Sequence, residues 1–240
     1  MRGEVESYRR EGFLEVREPV FPEGKFRRLQ DHFDGLLAEL PPDRRPEQMD
    51  RAHFQDLALF EWLFDDALLD LVEPVLGPDI ALFSSHFICK PRGDGRAVPW
   101  HQDALYWREM ISPMTVCTVW LAVDRSTREN GCMCVIPRTH ERFYDRSHYD
   151  DVDTARNVFG FELRLAREDR SRIHPIELEP NQASLHDAHT VHGSAANASA
   201  IRRCGYTMRY MPADVRFDHD RCGAYHQIYL ARGRDRAGNR

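Results

Sequence analysis

The sequence predicts a mainly β fold with flanking α-helices, a double-stranded β-helix of the jelly-roll, cupin-like kind. Two observations carry that prediction. Helical periodicity dominates up to about residue 78, and from 79 to about 212 it gives way to short β-rich runs separated by Gly, Pro, Asn and Asp.

In the helical part, Phe26, Leu29, Phe33, Leu36, Leu37 and Leu40 recur at three- and four-residue steps and form one apolar face. Pro41 and Pro42 stop that helix, because proline lacks the amide hydrogen and clashes with the preceding turn. A second helix is expected from about Phe54 to Val75, ending at Gly77-Pro78. The runs IALFSSHFICK, TVCTVWLAV, CMCVIP, RIHPIEL, ASLHDAH and CGYTMRYMP then read as strands. Residues 141–171 are polar and lack alternation, which suggests a lid or binding loop, with a disordered insertion as the alternative. Residues 213–240 form a C-terminal extension whose basic end, ARGRDRAGNR, is expected to fray.

A chain of 240 residues is long enough for one domain with a substantial core, and one domain spanning 1–240 is expected. The net charge of −6, from 33 basic and 39 acidic side chains spread along the chain, offers no stripe for a phosphate backbone, so nucleic acid is an unexpected partner. No apolar run of membrane-spanning length occurs, and the N-terminus lacks a signal-peptide pattern; a soluble, cytoplasmic protein without a membrane partner is expected. The six cysteines contain no CxxC pair and read as buried reduced thiols. Nothing in the sequence sets an oligomeric state.

The sharpest local motif is Trp100-His101-Gln102-Asp103. On an extended segment His101 and Asp103 project to the same side and can grip one ion. A second, distant histidine would complete the 2-His-1-carboxylate triad of non-haem iron(II) sites, whose open positions admit a cosubstrate and O2. His186, His189 and His192 are the candidates. His192 is preferred because Gly193 beside it permits close backbone approach and an arginine-bearing strand follows.

Arg203 on that strand would be costly to bury unpaired. Its planar fork matches a carboxylate, so it can hold the distal end of 2-oxoglutarate while the 2-oxo acid end chelates the metal. Arg202 points to the opposite face. Arg209 alternates in phase with Arg203, although its place near the strand end favours a surface salt bridge. Asn130-Gly131 reads as a hairpin turn, Cys132 and Cys134 as core packing, Tyr106 and Trp107 as packing or substrate contacts, and Lys90 as a strand-edge cap or an acid partner.

Four stretches together resemble the phytanoyl-CoA dioxygenase family of iron(II)/2-oxoglutarate oxygenases. They are Lys90-Pro91 with WHQDALYW; Trp120 through Asn130-Gly131-Cys132, Val135-Ile136-Pro137 and Thr139-His140; His192-Gly193-Ser194 with Asn197 and Ser199; and Arg203, Gly205 and Arg209-Tyr210. Tyr8, Gly12 and Phe13 fit the family's opening, and Arg138 stands where glycine is usual. The resemblance implies His101, Asp103 and His192 as metal ligands and catalytic centre. It also implies Arg203, Trp120 and His86 as cosubstrate-binding residues. Asp103 stands where halogenating relatives have a small residue, which implies a hydroxylase.

The expected activity is hydroxylation of an unactivated C–H bond of a small molecule, in secondary metabolism, with Fe(II), 2-oxoglutarate and O2 and with release of succinate and CO2. The same site also admits desaturation, epoxidation or cyclisation. The residues taken alone further admit a non-oxidative cupin-like metal-binding protein, or a zinc-dependent hydrolase or isomerase using the same His/Asp/His set.

Overall fold

The computed structural model describes residues 2–222 and 225–239, with the side chains of Arg2 and Cys222 left out. Two antiparallel sheets form its centre. In the larger, seven-stranded sheet the path runs Phe13–Val16, Ala183–Asp187, Cys117–Ala122, Arg203–Pro212, Ile80–Lys90, Tyr229–Arg232, and Met49–Asp50 also pairs with Ile80–Lys90. The four-stranded sheet runs His174–Pro175, Cys134–Val135, His192–Ser194, Val98–His101. This is the expected double-stranded β-helix with helices outside it.

Alternation along Arg203–Pro212 explains how the layers assemble. Cys204, Tyr206, Met208 and Tyr210 face outward into the main core, where they meet Leu29 and Phe33 of helix Glu23–Ala38 and Leu68, Leu69 and Val72 of helix Asp66–Leu76. Tyr206 stacks on Phe87 with ring centroids 3.8 Å apart, and the Tyr210 hydroxyl donates to the Leu63 carbonyl at 2.7 Å. Arg203, Gly205, Thr207 and Arg209 therefore face the barrel interior.

Several elements differ from the sequence expectation. The single helix expected over 54–75 is broken: Asp56 caps a 3₁₀ turn at Leu57–Leu59, and Asp65 caps a new helix, Asp66–Leu76, by accepting from the Ala67 amide at 2.8 Å. Apolar spacing continued across that break, but local capping ended the helix there. Within the helical N-terminal part, Phe13–Val16 forms an edge strand of the large sheet, too short to announce itself by alternation.

The C-terminal tail is tied down as well. Tyr229–Arg232 pairs with Ile80–Lys90, Arg232 reaches Asp66, Asp70 and Glu73, and Arg236 pairs with Asp79. The expected fraying overlooked acids supplied by a helix far away in sequence. The 141–171 segment carries its own hairpin, Tyr149–Asp151 with Phe161–Leu163, followed by helix Arg167–Ser171, so the disordered alternative does not hold. No helix among the described residues is long and apolar enough to cross a membrane.

Candidate metal centre

His101 ends the strand Val98–His101, and Asp103 already has helical dihedrals (φ −57°) at the start of Ala104–Trp107. Simple alternation along an extended segment, as expected from the sequence, is thus not what aligns them. The intervening Gln102 does so. Its buried amide donates to the carbonyls of Arg142 (2.6 Å) and His189, and its oxygen accepts from the Tyr144 amide at 2.9 Å, which pins the turn between the two ligands. Gln102 looked like a spacer in sequence, since its partners are all brought in by other segments.

His192 lies directly across from His101 in the smaller sheet, with ring centroids 4.2 Å apart. One ligand atom from each of His101, Asp103 and His192 falls within 4.8 Å of the others, and all three residues are buried. Each histidine has its tautomer fixed from behind: Nδ1 of His101 donates to the Pro99 carbonyl at 2.8 Å, and Nδ1 of His192 donates to Thr190 at 2.9 Å. Both Nε2 lone pairs are thereby free for a metal.

The electrostatics agree with a cation site. Burial alone would raise the Asp103 carboxyl, but the neighbouring imidazoles of His101, 3.5 Å away, and His186, 3.9 Å away, outweigh it and hold Asp103 well below the usual carboxylate range. Burial, reinforced by His101 and His186, holds His192 well below its usual value, as a neutral ligand requires. An imidazole, imidazole and carboxylate set with room beside it fits iron(II).

Arg203 is 1% exposed and has no carboxylate partner among the described residues; it donates to the Gly131 carbonyl at 2.6 and 3.0 Å and to Ser194 Oγ at 3.2 Å. Its guanidinium lies 5.3 Å from the Trp120 ring. That arrangement needs two glycines. A Cβ on Gly205 would sit 2.0 Å from the Trp120 ring, and Gly131 has φ +77°, with the Ala195 carbonyl 2.5 Å from where its Cβ would be. Asn130-Gly131 is thus a turn as expected, and it also presents the carbonyl that orients Arg203, a role its turn chemistry gave no sign of. Arg203, Trp120 and the three candidate ligands line one chamber.

The remaining candidates separate by position. His86 is buried at the wall of an adjoining outer cavity, with Nε2 on the Glu47 carbonyl at 3.0 Å, away from Arg203. Of the rivals to His192, His189 is half-buried and held by Asp187 at 3.2 Å, whereas His186 faces the chamber with its ring 4.6 Å from that of His192. Arg202 pairs with Asp124 and Asp34 on the outside, as expected. Arg209 corrects the expectation of a surface salt bridge: it is 8% exposed and faces inward, because the strand end that should have carried it to solvent is covered by Trp107. Lys90 is no edge cap, since it lies fully buried opposite Arg203 and donates to the carbonyls of Ser194 and Ala195. Cys132 is buried and Cys134 half-buried, and neither joins the ligand cluster.

A jelly roll with such a candidate triad and a buried arginine beside it has the make-up of the iron- and 2-oxoglutarate-dependent non-haem oxygenases. Comparison with known proteins gives the family: residues 8–205 match the phytanoyl-CoA dioxygenase (PhyH) model, and the chain belongs to that family. It is 23% identical over 232 residues to the human peroxisomal phytanoyl-CoA dioxygenase, covering 88% of this chain and 68% of that protein. The bovine peroxisomal phytanoyl-CoA dioxygenase is 26% identical over 166 residues, covering 68% of this chain and 49% of its own length, so the chain spans from half to two thirds of these relatives. Among solved structures, the epimerase SnoN in complex with Fe3+, alpha ketoglutarate and nogalamycin RO shares the fold with a TM-score of 0.74 at 19% identity, covering 98% of this chain and 96% of its own. By its family the chain is a 2-oxoglutarate-dependent dioxygenase, and His101, Asp103 and His192 are its candidate iron site.

Proposed function

We propose that this dioxygenase hydroxylates an unactivated C–H bond of a small molecule of secondary metabolism, in the cytoplasm, with neither nucleic acid nor membrane as partner. The observation that carries the reading is one buried chamber holding both the His101, Asp103 and His192 donors and an arginine, Arg203, without an acid partner among the described residues. A metal-binding module with no cosubstrate has no use for a desolvated guanidinium, which is costly to bury unless an anion meets it.

In this reading Nε2 of His101, Nε2 of His192 and the Asp103 carboxylate hold iron(II). When bound, iron with 2-oxoglutarate and O2 supplies the oxidant that takes hydrogen from carbon, with succinate and CO2 as coproducts. Arg203 clamps the distal carboxylate of 2-oxoglutarate by its planar fork, and the Trp120 face restricts that end to one orientation. Val98, Met133 and Phe159 wall the chamber with apolar surface and keep bulk water from the reacting atoms. Asp103 leaves no ligand position for a halide, which favours oxygen transfer over halogenation.

Anaerobic titration of the iron(II) protein with 2-oxoglutarate tests the proposal. A weak visible charge-transfer band should develop, and succinate should form on aeration. Absence of both would overturn the oxygenase reading.

A further inference from the structure

Pairing register places His186, Thr118, Arg209 and Ser84 side by side on four neighbouring strands of the large sheet, all facing the interior. The row is polar, and much of it lacks a partner. Both ring nitrogens of His186, the Thr118 hydroxyl and Nε of Arg209 are buried without a hydrogen bond. Among the described residues Arg209 makes one side-chain hydrogen bond, from Nη1 to Ser84 Oγ at 3.2 Å, and its guanidinium lies 5.1 Å from the Trp107 ring.

Arg209 lines both the metal chamber and an outer cavity of about 560 Å³, as does Asp103. Two other arginines line that outer cavity, and both are neutralised: Arg51 by Asp50 at 2.8 Å and Arg221 by Glu109 at 2.7 Å. Arg209 has no ion pair among the described residues, although it is the most deeply buried of the three.

Charge balance indicates what is missing. In the loaded site the two charges of iron(II) would be met by Asp103 and one carboxylate of 2-oxoglutarate, and the other carboxylate would be met by Arg203. Arg209 stands outside that set, and a buried guanidinium requires an anion of its own. One side of the cavity wall is aromatic and apolar, from Phe83, Tyr106, Trp107, Met110 and Phe159, and the remainder is polar, with Gln48, His86, His226 and the Asp50 carboxylate that pairs with Arg51.

We propose that Arg209, assisted by Thr118 and Ser84, binds an oxyanion of the primary substrate, a carboxylate or a phosphate monoester, whose apolar or aromatic remainder fills the outer cavity. The substrate is then an organic acid anchored by its charge so that a C–H bond reaches the metal. This rests on the oxygenase reading and narrows its substrate class.

The test uses the Ni(II) protein loaded with 2-oxoglutarate, which does not turn over, and reads binding by tryptophan fluorescence and calorimetry. The probes are matched sets: 3-phenylpropionate, 2-phenylethyl phosphate and 3-phenylpropionamide, with hexanoate, hexyl phosphate and hexanamide. At least one anion should bind tenfold or more tightly than its amide, and whether carboxylate or phosphate leads identifies the source of the oxyanion. Arg209→Gln should bring anion and amide within twofold, Arg209→Lys should restore part of the preference, and Thr118→Val should weaken it several-fold. The proposal is overturned if no anion in the panel outbinds its amide, or if the preference survives Arg209→Gln. It is equally overturned if Arg209→Gln weakens 2-oxoglutarate binding as much as Arg203→Gln does, since Arg209 would then be a cosubstrate ligand. The iron(II) charge-transfer band of the wild-type protein is read alongside. Its loss would remove the oxygenase reading itself, whereas a normal band without anion preference would remove only the Arg209 subsite.

Discussion

His192 and His101 are cross-strand partners in the smaller sheet, one pair of a register that also joins Ser194 to Val98. Each ring is turned by a hydrogen bond to a backbone carbonyl two residues earlier in its own chain segment, Pro99 for His101 and Thr190 for His192. The same local device is thus used twice, on two strands that meet only in the folded barrel. The placing of the two imidazoles is built into the sheet, whereas Asp103 is placed by the Gln102 turn that follows the strand.

Replacing either histidine or Asp103 by Ala should therefore abolish tight iron(II) binding while leaving the fold intact. Removing one of three ligands takes away a whole coordinate bond, and a loss of at least about 100-fold in metal affinity is expected. Anaerobic titration with iron(II) or cobalt(II), alongside a thermal melt, checks both halves of that statement.

Arg203→Gln should separate cosubstrate binding from metal binding. Loss of one partner from a buried charged pair costs roughly 2–5 kcal/mol, so 2-oxoglutarate affinity should fall by about 30-fold or more. Iron(II) affinity should change little, because Arg203 supplies no ligand atom. The measurement is the 2-oxoglutarate dependence of the charge-transfer band; an unchanged midpoint would remove Arg203 from the site.

Gly205→Ala should damage the site from behind. The new methyl would lie 2.0 Å from Trp120 and has to push the indole, the surface against which Arg203 rests. Overpacking of this kind costs about 1–3 kcal/mol. A fall in melting temperature together with weaker 2-oxoglutarate binding is expected; a fall in stability alone would show that Trp120 does not position the cosubstrate end.

The pH dependence of stability should reflect buried histidines, His53 and His86 together with His192 and His226, all lowered chiefly by burial. His53, whose Nδ1 meets Ser85 Oγ at 2.7 Å, and His86 are both lowered to about 4, in each case chiefly by burial. In the unfolded chain they titrate near 6.5, so between about pH 6.5 and 4 the unfolded state takes up protons that the folded state refuses. Their contribution is complete above pH 6.5 and is lost as the pH falls through that window, by up to about 3 kcal/mol for each group. Urea unfolding at pH 7.5, 5.5 and 4.5 measures the slope. His53→Asn should flatten it, and an unaltered slope would assign the acid sensitivity elsewhere.

Much of this protein was legible in the sequence. The outward set Cys204, Tyr206, Met208 and Tyr210 and the apolar helix face at Phe26, Leu29 and Phe33 repeat at periods of two and of three to four, which are properties of neighbouring residues along the chain. The short spacing of His101 and Asp103 and the turn at Asn130-Gly131 are local in the same way. The tertiary structure alone decided what depends on pairing between distant segments. It brought His192 opposite His101, put His186 beside the chamber and tied His189 to Asp187. Folding also pinned Asp103 through Gln102, and it buried Arg209 under Trp107 where the sequence suggested a surface ion pair. Strand register and the covering of a strand end are set by contacts between residues far apart in the chain, and no local pattern encodes which side chain will cover which.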